Sequence, residues 1–107
     1  VSSAGSTHYL QKAIQFNPKL WQSHQNLGSV YYSSGKLDLA EQEFRKAVQI
    51  NPMESSLHAA VGHILSNTNK KEEAISELKI ALELNPQNAQ AQQWLQQAVN
   101  SAGQPPK

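Results

Sequence analysis

HQNLGSVYYSSGKLDLAEQEFRKAVQINP, residues 24–52, decides the reading of this chain, because residues 58–86, HAAVGHILSNTNKKEEAISELKIALELNP, repeat its pattern 34 positions later. Asn51-Pro52 and Asn85-Pro86 close the two stretches, and Asn17-Pro18 stands one period earlier. The agreement goes beyond the punctuation. His24 pairs with His58, Gly28 with Gly62, Ala40 with Ala74 and Ala47 with Ala81. Apolar positions pair by type: Leu27 with Val61, Tyr31 with Leu65, Phe44 with Leu78, Ile50 with Leu84. A fixed period of this length is the mark of one supersecondary unit used repeatedly, each copy burying its apolar face on its neighbours.

Each unit reads as two helices. The spacing predicts a first helix, A, over 21–34 and 55–68, and a second, B, over 37–50 and 71–84. Gly35 and Asn69 separate A from B, and both residue types tolerate the left-handed backbone that ends a helix. Asn-Pro ends B, because the residue before proline is pushed out of the α region. Leu37, Ala40, Phe44, Ala47 and Val48 share one face of the first B helix, opposite Glu41, Gln42, Arg45 and Lys46. Gly28 and Gly62 are expected to lie against Ala40 and Ala74, where a missing side chain lets two helices approach closely. Lys71 replaces Leu37 at the start of the second B helix, so the second unit is expected to be the less stable. These elements place the chain in the all-α class, as a stacked array of antiparallel helical hairpins.

Composition agrees with such an array. Of the 107 residues, 38% are hydrophobic, thin for one central core but sufficient where every unit buries one side. The net charge is +1 and charged residues are 16%, which provides neither a basic field for nucleic acid nor an acidic tail. The absence of cysteine excludes disulfides, thiolate metal sites and thiol nucleophiles. No apolar run is long enough for membrane insertion of this segment. The chain opens on Val1 and not Met, and is expected to be a piece of a longer protein, so its localisation is left open.

His24-x2-Leu27-Gly28-x2-Tyr31, followed by Ala40-x3-Phe44, Ala47 and Pro52, resembles the tetratricopeptide-repeat (TPR) family. The second unit gives His58-x2-Val61-Gly62-x2-Leu65, then Ala74-x3-Leu78, Ala81 and Pro86. Both units carry His where the family signature opens on Trp. The resemblance spans residues 8 to about 101 and implies a right-handed α-α superhelix (solenoid) of antiparallel helical hairpins. It divides the chain, 1–101, into a partial repeat with helix B only (8–17), two full repeats (21–54 and 55–88) and a capping helix (89–101). A disordered tail over 102–107 is expected to follow. The cap is amide-coated, with Gln96 in the place of the close-packing Gly.

The resemblance implies a non-catalytic module for a protein or peptide partner, bound in a concave groove lined by the A helices. Carried over by position, the lining is Gln22, Gln25, Asn26, Ser29, Tyr32 and Ser33, then Ser56, Ala59, His63, Ser66 and Asn67, then Gln90, Gln93 and Gln97. Family members that capture acidic chaperone C-termini need Lys or Arg on these faces. Gln25, Ser29, Ser56, Ala60, Gln90 and Trp94 stand there instead, which argues against a carboxylate clamp. The run of inner-face Asn found in sugar-transferase relatives starts at Asn26 and stops at Ala60 and Trp94. The alternative function is structural: Leu10, Ile14 and Phe16 of the partial repeat are expected to form an apolar edge that packs on a second copy, giving a homo-oligomer, or on a preceding repeat of the longer protein.

No reaction chemistry competes with these readings. His58 and His63 are five apart and fall on different helix faces, so no metal site is expected; His24 and His58 read as packing residues between A and B. Glu41-Glu43 and Glu72-Glu73 read as solvated faces of the B helices, and no phosphate loop or cofactor motif is present. Trp94 is expected either to anchor the cap to the second B helix or to stand exposed as a hot spot for the partner.

Overall fold

The computed structural model describes residues 20–103. Among them lie five helices and no strand: α1 (Trp21–Ser33), α2 (Leu37–Ile50), α3 (Ser55–Asn67), α4 (Lys71–Leu84) and α5 (Ala89–Gly103). They fall into two units, one ending at Pro52 and one beginning at Met53. None of these helices is long and apolar enough to cross a membrane. Residues 8–17, with the expected edge Leu10, Ile14 and Phe16, lie outside the described residues.

In the first unit α1 and α2 pack as a hairpin. The turn between them is set by Gly35, whose φ of +78° is open to glycine at little cost. The Gly35 N–H donates to the Tyr32 carbonyl and the Lys36 N–H to the Tyr31 carbonyl, satisfying the last carbonyls of α1. Leu27, Ala40, Phe44 and Ala47 are buried between the helices. The partner of Gly28 differs from the expected one. A Cβ there would meet the Phe44 ring at 2.9 Å, so the glycine makes room for the ring one turn beyond Ala40.

The second unit repeats this hairpin with α3 and α4, and α5 packs on both. Asn69 takes the place of Gly35 with a φ of +63°, and Lys70 N–H caps the Leu65 carbonyl. Asn85 is extended at φ −145°, which is where its following proline forces it. Leu57, Val61, Ile64, Leu65 and Leu78 are fully buried. A second apolar cluster of Ala59, Leu78, Ala81, Ala91 and Ala98 joins α5 to the hairpin. Gly62 is the tighter of the two helical glycines: a Cβ would lie 2.7 Å from Leu78 Cγ and 3.1 Å from the Ala74 carbonyl oxygen.

Two expectations change here. Lys71, expected only to weaken hairpin closure, donates its ammonium to Ser101 Oγ on α5. Residues 102 and 103, expected in a tail, belong to α5, which continues to Gly103, and residues 104–107 lie outside the described residues.

Candidate functional site

The A-type helices α1, α3 and α5 carry the expected binding residues. On α1, Gln22, Asn26, Ser29 and Ser33 are exposed, with Gln25 and Tyr32 half-buried. On α3, Ser56 and Asn67 are exposed, Ser66 is half-buried, and Ser56 Oγ donates to Glu54 Oε1 at 3.0 Å. Gln90, Gln93 and Gln97 are exposed on α5. Ala59 does not belong with them. It is only 2% exposed and sits in the cluster with Ala91 and Ala98, because small residues on both helices let α5 close over this part of α3.

The second unit brings an aromatic pair together on this face. The His63 and Trp94 rings stack with centroids 4.1 Å apart and planes 13° from parallel. Asn67 Nδ2 lies 3.5 Å from His63 Nε2, one helical turn on. Burial holds the His63 imidazole below its ordinary value of 6.5, so the ring is neutral at pH 7. Trp94 is half-buried and also packs on the Ala59–Leu78–Ala81 cluster. It is therefore an anchor, but its ring partner stands on helix A of the hairpin and not on helix B alone.

Two buried histidines have a different role. His24 Nδ1–H donates to Glu43 Oε1 at 2.9 Å, and Lys46 Nζ donates to Glu43 Oε2 at 3.0 Å. Glu43 is 7% exposed, so its reading as part of a solvated face is corrected: it is the carboxylate that receives His24 across the hairpin. The second hairpin places His58 Nδ1 3.4 Å from Glu77 Oε2, at the same sequence separation of 19. Sequence reasoning missed this pairing, although the period sets Glu43 against Glu77 as surely as His24 against His58.

A third polar group holds α5 in place. Asn88 Oδ1 accepts from the Ala91 N–H at 3.0 Å, capping the helix, while Asn88 Nδ2 donates to Ser55 Oγ at 2.8 Å. Ser55 Oγ donates in turn to the Ala81 carbonyl at 2.7 Å. The starts of α3 and α5 and the last turn of α4 are thus tied together, which fixes the spacing of the two A-type helices in this unit.

The tetratricopeptide-repeat family model matches residues 22–52 and 55–88. Among solved structures, the first TPR domain of Spaghetti (RPAP3), bound to the HSP90 peptide SRMEEVD, has a TM-score of 0.90 at 22% identity, covering 95% of this chain and 81% of that one. The Arabidopsis OM64 TPR domain has a TM-score of 0.87 at 20% identity, covering 92% of this chain and 82% of its own. An O-GlcNAc transferase mutant from Thermobaculum terrenum has a TM-score of 0.83 at 29% identity, covering 91% of this chain but 19% of the enzyme. No curated protein sequence matches at a significant level.

Proposed function

The chain belongs to the tetratricopeptide-repeat family, and from that premise we propose that it binds a peptide or protein segment along the faces of its A-type helices, without catalysing a reaction. The observation that carries this reading is that each unit exposes amides and hydroxyls on its A-type helices, on α1 in the first unit and on α3 and α5 in the second. Each amide offers donors and acceptors to a peptide backbone, and helices held by buried cores present them in fixed positions. The His63–Trp94 pair adds a flat apolar patch beside Asn67, the arrangement that anchors a side chain within a polar rim.

The acidic peptide on the Spaghetti domain is not the ligand proposed here. Gln25, Ser29, Ser56, Ala60, Gln90 and Trp94 provide no cation to receive its carboxylates. Sugar transfer is not proposed either, since the chain spans 19% of the transferase it resembles.

The test is an NMR titration of the chain with peptides selected from a synthetic array. Shifts confined to α1, α3 and α5, with binding lost in Asn26→Ala or Asn67→Ala while helicity is retained, support the reading. Binding that maps to the charged faces of α2 and α4 would overturn it.

A further inference from the structure

We propose that the segment this chain binds carries no charged side chains: its partner is an uncharged stretch of polypeptide rich in amide, hydroxyl and small apolar groups. The inference rests on the segment-binding reading above and names the chemistry of its ligand.

Charge is segregated by helix type. No residue of α1, α3 or α5 is Asp, Glu, Lys or Arg. α2 and α4 hold nearly all the charge of the described residues, and the rest stands beside the helix ends, at Lys36, Glu54 and Lys70. Burial does not explain the division. α5 exposes Gln90, Gln92, Gln93, Gln96, Gln97 and Asn100 without one charged group among them. α4, of similar length, exposes Glu72, Glu73, Lys79 and Glu83. A solvated helix ordinarily gains from charged pairs one turn apart, and a surface gains solubility from them. α5 forgoes both on its whole open side.

The titratable group on this face follows the same rule. His63 stacks flat on Trp94, and its partial burial keeps the ring neutral at pH 7. Charged groups stand only beyond the two ends of α3: Glu54 before it, engaged by Ser56, and Lys70 and Lys71 after it, with Lys71 engaged by Ser101. A partner's carboxylate or ammonium laid along α3 and α5 would lose water and find no counter-charge. A neutral backbone with amide or hydroxyl side chains would exchange its water for matched donors and acceptors. Such an interface has little long-range Coulombic steering, so its affinity is nearly independent of salt.

The experiment uses the full chain, isotope-labelled, and three synthetic peptide pools of equal length. One is built from Gln, Asn, Ser, Gly, Pro and Leu; the second adds Asp and Glu; the third adds Lys and Arg. Binding is read from the Trp94 indole N–H and the Asn67 side-chain amide at about 50 mM and about 500 mM salt, a range over which screening shortens from beyond 10 Å to a few ångströms. The expected result is tightest binding by the uncharged pool, with affinity changing less than about twofold between the two salts. Gln97→Lys, on the exposed side of α5, is expected to raise affinity for the acidic pool and make it salt-dependent. Preference of the unaltered chain for either charged pool, or a loss of about tenfold at high salt, would overturn the inference while leaving segment binding intact. Silence of both probes with all three pools would overturn the two readings together.

Discussion

Replacing Gly62 by alanine is expected to destabilise the second unit, against the preference of an isolated helix. In a free helix the change gains about 1 kcal/mol, because alanine loses less backbone entropy than glycine. In this hairpin the new Cβ would lie 2.7 Å from Leu78 Cγ and 3.1 Å from the Ala74 carbonyl oxygen. Carbon atoms in good contact stand about 3.5–4.0 Å apart, so the overlap approaches 1 Å. Neither neighbour can yield cheaply: Leu78 is fully buried, and the Ala74 carbonyl belongs to the backbone of α4. Overpacking of this kind costs about 1–3 kcal/mol, which leaves a net loss of up to about 2 kcal/mol after the propensity gain is subtracted. For a domain of this size that is a fall in Tm of up to about 15 °C. Thermal unfolding followed by circular dichroism measures it. Gly35→Asn is the control, since a Cβ at Gly35 would meet nothing within 4 Å and asparagine already occupies the equivalent left-handed position at residue 69. That control should fall within about 1 kcal/mol of the parent, the span that separates Gly from Asn in backbone freedom. A Gly62→Ala chain that melts higher than the parent would refute the reasoning, because it would mean that α3 and α4 separate without loss.

The two carboxylates that face the buried histidines should differ in weight. Glu43→Gln loses charge-assisted bonds to both His24 and Lys46 and is expected to cost about 1.5–3 kcal/mol in urea unfolding, whereas Glu77→Gln, facing His58 at 3.4 Å, should cost less than about 1 kcal/mol. Acidification should weaken the second unit through His63. Its folded value lies below 6.5, so the unfolded chain binds the proton first, and the stability present above pH 6.5 is lost as pH falls toward the folded value. His63→Gln should remove that component, read as a smaller difference between urea midpoints at about pH 7.5 and 5.5. Asn88→Ala should cost about 1 kcal/mol through the lost cap and speed amide exchange in the first turn of α5, with Ala91 the amide to watch.

The hairpins were legible because their determinants are local. A residue before proline leaves the α region whatever surrounds it, and a left-handed turn selects Gly35 or Asn69 by backbone sterics alone. The apolar stripe of α2 likewise follows from 3.6-residue spacing. Spacing fails one step further out, at the choice between neighbouring faces. Glu43 precedes Phe44, and from the pattern alone it belongs with Glu41 on the open side; only the arrival of His24 from another helix makes its burial favourable. Gly28 was legible as a point of close approach but not its partner, since sliding α2 by one turn exchanges Ala40 for Phe44 without altering the stripe.

The face of α3 shows the same limit with a consequence for recognition. Positional transfer treats Ala59 and His63 alike, as residues of one inner row, but α5 divides them. Ala91 and Ala98 are small enough to close over Ala59, while the bulk of Trp94 leaves His63 half-open and turns it into part of a ring stack. The side-chain volumes on α5 thus decide which part of α3 remains available to a partner. Trp94→Ala separates this packing role from a direct contact. If Trp94 acts only by holding His63 and the cap, the variant should lose stability, about 3 kcal/mol for a well-packed aromatic and less for a half-buried one. His63→Ala, which leaves Trp94 on its alanine cluster, should then weaken peptide binding with a smaller loss of fold. Equal losses of stability in both variants, with peptide affinity unchanged in His63→Ala, would show that the stack is a piece of core and that recognition lies elsewhere on the A-type helices.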